Sequence, residues 1–259
     1  MFGLPQDINS FLNFLFIVSR VSGIMFTAPV FGSSVVDVRL RMFFSFILGY
    51  ILYPFVNEVV IADVDILLWF LLIIKEILIG IAMGLMGQFI FAGVQFGGQL
   101  IGFQMGFAVV DIIDPSSNIQ ASIIAQFQNI LMILIFLSIN GHLLLINTIA
   151  KSFEMVHLAT FVFPVGSFFY IVELFSKIFF IAIKIVAPVF VTLLITNIVM
   201  GIIGRLVPQI NLLIVGFPLQ IAIGLVMLML SLQFFYVVFE KVVQNFFENI
   251  LSLFSMLGG

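Results

Sequence analysis

Cysteine is absent from the 259 residues, and charge is scarce, with nine basic and twelve acidic side chains making up 8% of the chain. The first absence excludes disulfides and thiolate metal sites. The second excludes an ordinary soluble domain, about a quarter of which is charged. A net charge of −3 offers no attraction to nucleic acid. His142 and His157 are the only histidines, and neither has a second ligand at metal spacing. HExxH, GxSxG, phosphate-loop and dinucleotide patterns are missing as well. Enzymatic chemistry is therefore not expected, and neither is a metal or cofactor. Met1–Ser10 carries Asp7 and no basic residue, so it lacks the positive region of a cleavable signal. Retention in the membrane through the body of the chain is the simpler expectation.

What the chain has in abundance is apolar surface: 63% of its residues are hydrophobic and its mean hydropathy is +1.36. The bilayer is the partner this composition requires. Apolar runs occupy Ile8–Phe31, Met42–Val56, Ile66–Val110, Ala121–Ala150, Phe168–Gly204 and Leu212–Phe239, and an amphipathic tail follows from Glu240. Several runs fit the ~20 residues of a single span poorly, being too short or far too long. About six hydropathic segments arranged as helical hairpins and broken helices are expected, in an all-α integral membrane protein. No composition shift divides residues 1–259 into separate domains. Arg39, Arg41, Lys151, Arg205 and Lys241 are spread over many joints, so basic residues orient the chain only weakly.

One segment departs from a simple anchor. The uncharged run Ile77–Val110 carries eight glycines and four glutamines between Gly80 and Gly106. Each interior glycine costs a helix roughly 1 kcal/mol against alanine, so close packing must compensate. At 100° per residue, Gly80, Gly84, Gly87, Gly98 and Gly102 share one narrow sector, and Gln88, Gln95 and Gln99 fall in the next. Small residues at four-residue spacing let helices approach, and amides hydrogen-bond across the contact. Two arrangements satisfy this pattern. One is packing within the chain; the other is packing in an assembly with the amides on a wet lumen. Gly97–Gly98 is also a place where the helix is able to break.

The polar joints add further candidates. Asp111-Ile-Ile-Asp114-Pro115-Ser-Ser-Asn118 begins a turn, because proline disfavours helix at the residue before it. It is either a solvated loop or one that lines or closes a pore, helped by mobile Gly102 and Gly106 and soft Met105. Arg205, Pro208 and Asn211 mark a turn between two hairpin arms, and Asn140-Gly141-His142 marks another. Arg20, Lys75, Glu76, Glu173, Lys177 and Lys184 interrupt apolar runs and are expected to face protein or water. Glu173 and Lys177 have the spacing and order of a helical ion pair.

Several of these residues, in order over essentially the whole chain, carry a resemblance. They are Arg20, Thr27-Ala-Pro29-Val-Phe-Gly32, Arg39-Leu-Arg41, Lys75-Glu76, the Gly/Gln run ending at Asp114-Pro115, Asn140-Gly141-His142, Ala187-Pro188, Arg205-Leu-Val-Pro208-Gln-Ile-Asn211 and Gly216-Phe-Pro218. The sequence resembles the FliR/SctT family of type III export-gate proteins. That resemblance implies a non-enzymatic subunit of the flagellar export gate in the bacterial inner membrane, at the basal body. It implies partners FliP and FliQ in a helical assembly, association with FlhB, and passage of unfolded flagellar subunits. Energy would come from an associated ATPase and the proton-motive force. It further implies an N-terminal part like FliP, a C-terminal part like FliQ, and a plug-like loop over Gly106, Asp111, Asp114, Pro115 and Asn118. Pro208 and Asn211 match the family's Pro-x-x-Asn turn. The injectisome counterpart is the alternative within the family. A secondary transporter is a more distant one, because internal symmetry and a clustered charged site are both missing.

Overall fold

The computed structural model describes residues 6–33, 35–56, 66–107, 123–159, 165–209 and 212–257, which form helices and the turns between them with no strand among them. Seven helices follow in order: α1 (Gln6–Thr27), α2 (Val38–Leu52) with a 3-10 turn at Tyr53–Phe55, α3 (Ile66–Gln104), α4 (Ile123–Ser138), α5 (Gly141–Met155), α6 (Val165–Leu206) and α7 (Leu212–Leu257). Among the described residues five stretches are long and apolar enough to cross a membrane. A sixth results when α4 and α5 are taken together as one broken span. The protein is an all-α membrane protein.

Local chemistry explains the boundaries. The Asp37 side chain caps α2 by accepting from the Arg39 N–H at 2.9 Å. Between α4 and α5 the chain turns at Asn140, whose φ of 57° is a conformation asparagine tolerates better than most residues. Its carbonyl accepts from the Leu143 and Leu144 N–H groups. α3, α6 and α7 contain 39, 42 and 46 residues. At 1.5 Å per residue even α3 is about 58 Å long, nearly twice a ~30 Å hydrocarbon core. The awkward run lengths thus come from very long helices as well as from broken ones. Gly97–Gly98 does not interrupt α3. Nor does α7 stop at Phe239; it continues through the amphipathic tail, burying Val242, Val243, Phe246, Phe247, Ile250 and Phe254 on one stripe.

The chain forms two compact units, each discontinuous in sequence. Unit 1 comprises Met1–Phe89, Asn140–Phe175 and Gln244–Gly259; unit 2 comprises Ile90–Ile139 and Ser176–Val243. In unit 1, Phe16, Ile17, Val21, Ile24 and Met25 of α1 are buried, with Ile79, Met83 and Met86 of α3 and Ile149 and Phe153 of α5. Phe16 stacks on Trp69 at 5.5 Å, and Phe14 meets Phe46 of α2 edge to face at 5.2 Å. In unit 2 the core is Ile101, Met105, Ile124, Val186, Val189, Leu193 and Leu228, with Phe107, Phe190 and Ile221 packed on it. Outside both cores many large apolar side chains are open, among them Phe43, Phe46, Leu67, Phe70, Met229 and Leu230. A soluble monomer does not expose apolar surface on this scale.

Candidate functional site

In unit 1, α1 carries Ser19, Gly23 and Thr27 at four-residue spacing, and α3 answers with Gly80, Gly84 and Gly87 of its glycine face. The backbones nearly touch. A Cβ built on Gly23 would stand 2.5 Å from the Ile77 carbonyl oxygen, and one built on Gly80 would run into the Arg20 carbonyl. No side chain fits at that crossing. At Gly84 a methyl would meet Thr27, and at Gly87 it would stand 2.8 Å from Pro29 Cδ. The Thr27 hydroxyl donates within its own helix to the Gly23 carbonyl at 2.7 Å, which keeps the polar group satisfied at the contact.

Close to this crossing lies a fully buried ion pair. Arg20 Nε donates to Glu76 Oε2 at 2.6 Å, and both side chains are 0% exposed. Arg20 Nη1 also donates to the Ser152 carbonyl at 2.9 Å and the Val156 carbonyl at 3.1 Å, closing the C-terminus of α5. Its guanidinium lies 4.4 Å over the Phe153 ring. The second Glu76 oxygen accepts from the Ala159 N–H at 3.1 Å. Two charges that interrupt separate apolar runs therefore neutralise each other and join α1, α3 and α5. Sequence reasoning placed both in protein or water but did not pair them. The available signal was position: each stands about one turn before a glycine, Gly23 or Gly80, of the crossing.

In unit 2, α3 carries the rest of the face. Gly98 is buried against Ala125 and the amide oxygen of Gln128 on α4, Gly97 is buried against Val186, and Gly102 is also buried. Of the neighbouring amides, Gln99 is exposed and Gln95 half-buried; Gln88, in unit 1, is exposed. Another amide forms a connection that spacing along one helix did not reveal. Gln104 at the end of α3 accepts from the Asn197 side chain of α6, whose own oxygen accepts from Gln220 of α7. Three neutral amides thus join three helices immediately before Gly106. That residue turns at φ +85°, with Phe217 packed where a side chain would go. This is a position only glycine occupies without strain.

Asp111, Asp114, Pro115, Asn118 and Asn211 lie outside the described residues. Arg205 and Pro208 are exposed at the end of α6 and in the turn after it. Lys75, Glu173, Lys177 and Lys184 are exposed, and the Lys184 ammonium rests 4.5 Å from the Phe180 ring centroid. Among the described residues the chemistry is that of packing: glycine crossings, one buried ion pair and a chain of amides.

Comparison with known proteins gives this helical architecture a family. Residues 11–246 match the model of bacterial export proteins, family 1. The chain is 33% identical over 254 residues to the flagellar biosynthetic protein FliR of Bacillus subtilis (strain 168), covering 97% of this chain and 98% of that one. It is 32% identical over 250 residues to the protein of that name from Buchnera aphidicola subsp. Acyrthosiphon pisum, with 96% of each chain covered. With the Escherichia coli (strain K12) FliR it shares 30% identity over 208 residues, covering 80% of this chain and 78% of that one. Matches of this extent, on an all-α membrane fold, mean that the chain belongs to bacterial export protein family 1, the family of the flagellar biosynthetic proteins FliR.

Proposed function

We propose that the protein is a non-enzymatic subunit of the flagellar type III export gate in the bacterial inner membrane, at the basal body. In this reading it forms, with FliP and FliQ and in association with FlhB, the pore that unfolded flagellar subunits cross. The near full-length similarity to proteins named for flagellar biosynthesis carries the reading and favours it over the injectisome counterpart. Three features of the chain support it. The Arg20–Glu76 pair and the Gln104–Asn197–Gln220 amides join helices rather than forming a reactive centre, the surface keeps large apolar areas for lipid or other subunits, and Gln88 and Gln99 stand exposed beside buried glycines. The segment from Gly106 through Asp111, Asp114, Pro115 and Asn118 is the proposed closing loop, and Arg205, Pro208 and Asn211 the proposed turn at subunit contacts.

The test is co-expression of the tagged chain with FliP and FliQ, purification in detergent and mass measurement. A stable complex containing all three is expected. A chain that purifies alone as a monomer in their presence overturns the reading. In the same complex, deletion of residues 111–118 should raise ion conductance across a reconstituted bilayer. Unchanged conductance removes the closing loop from the proposal and leaves the subunit assignment standing.

A further inference from the structure

Unit 1 contains a cavity of about 230 Å³ between α5 and the C-terminal part of α7. Leu144, Phe247 and Leu251 supply its apolar lining, and Asn147, Thr148 and Lys151 on α5 with Gln244 and Glu248 on α7 its polar lining. Within each helix the amide and the charge stand four residues apart, one turn from each other on the same face. Lys151 and Glu248 are both exposed, and among the described residues neither takes part in an ion pair. Opposite charges bordering one cavity without joining are poised for a ligand that carries both signs.

We propose that this cavity holds the headgroup of a zwitterionic phospholipid with a primary ammonium, with Lys151 on the phosphate and Glu248 on the ammonium. Size argues for a headgroup, since the volume falls below the ~300 Å³ at which small-molecule sites begin. The order of groups fits too. Asn147 and Gln244 supply neutral donors for phosphate and ester oxygens, and the apolar wall receives the glycerol and first acyl carbons. One turn before Asn147, Leu143 is 54% exposed and extends that apolar surface along α5. A primary ammonium donates charge-assisted hydrogen bonds to a carboxylate, which a trimethylated ammonium is unable to do. An anionic headgroup would satisfy Lys151 and be repelled by Glu248.

Purified full-length protein, incubated in detergent with equal parts phosphatidylethanolamine, phosphatidylcholine and phosphatidylglycerol, is examined by native mass spectrometry. Phosphatidylethanolamine is expected to be retained about tenfold over the other two, a margin of roughly 1.4 kcal/mol. Glu248→Gln should remove that preference while leaving lipid bound, and Lys151→Gln should lower retention of all three. Equal retention by the unaltered protein, a preference unchanged in Glu248→Gln, or retention unchanged in Lys151→Gln overturns the proposal. A photoreactive residue at Gln244 provides a second readout in cells. Capture of phospholipid supports the proposal; capture of a protein in its place overturns it.

Discussion

Unit 1 and unit 2 face the same problem and solve it with different chemistry. Each must fasten long apolar helices to one another in a setting where apolar contact alone gives little direction, because lipid tails are as apolar as leucine. Unit 1 uses charge. Arg20 and Glu76 are fully buried, and together they hold an α5 terminus and the Ala159 backbone. Unit 2 uses neutral amides, with Gln104, Asn197 and Gln220 half-buried in a row. The charged connection is all-or-none, because one partner without the other leaves a buried ion. The amide connection is graded, because a lost member leaves neutral groups that find other partners at modest cost. The two connections thus differ in how much substitution each tolerates, and the graded one is the connection that precedes the Gly106 turn.

The largest expected effect lies in the ion pair. Glu76→Leu strands the Arg20 guanidinium and should lower stability by about 3–5 kcal/mol, read as a fall in thermal midpoint in detergent. Adding Arg20→Leu should recover most of that loss. A single variant as stable as the double would erase the distinction between the units. The next effect is at the backbone crossing. Gly80→Ala should cost about 1–3 kcal/mol, since its methyl must displace the Arg20 backbone. Gly201→Ala, with nothing within 4 Å, should be neutral or gain up to ~1 kcal/mol of helix propensity. Comparable melting of the two variants would mean that the Gly80 contact is not tight. The smallest effect is in the amide chain. Asn197→Leu should cost about 1–2 kcal/mol and leave a folded protein with faster hydrogen exchange around the end of α3. A loss as large as that of Glu76→Leu would make the two units alike.

Much of the architecture was legible in the chain. The break at Asn140 and the end of α6 near Arg205 followed from turn chemistry, and the all-α membrane class from composition alone. Helix continuity was harder to read. Gly97–Gly98 looked like a possible break and lies within an unbroken helix, because Val186, Ala125 and Gln128 fill the space beside it. Nor did periodicity along α3 locate the amide chain, since Asn197 and Gln220 come from helices that begin about 60 and 110 residues after α3 ends. Pairing of Arg20 with Glu76 was hidden by the same distance, 56 residues in sequence.

By itself the sequence determined class and family: scarce charge and long apolar runs require a membrane, and an ordered series of glycines, prolines and polar residues matches one export family over nearly its full length. These are properties of composition and local order, which need no knowledge of neighbours. Only the tertiary structure decided which glycines meet backbone, which charges neutralise each other and which amides join three helices. Each of those depends on the approach of segments remote in the chain, and hydrogen bonds and close contacts act over a few ångströms of space whatever the separation in sequence.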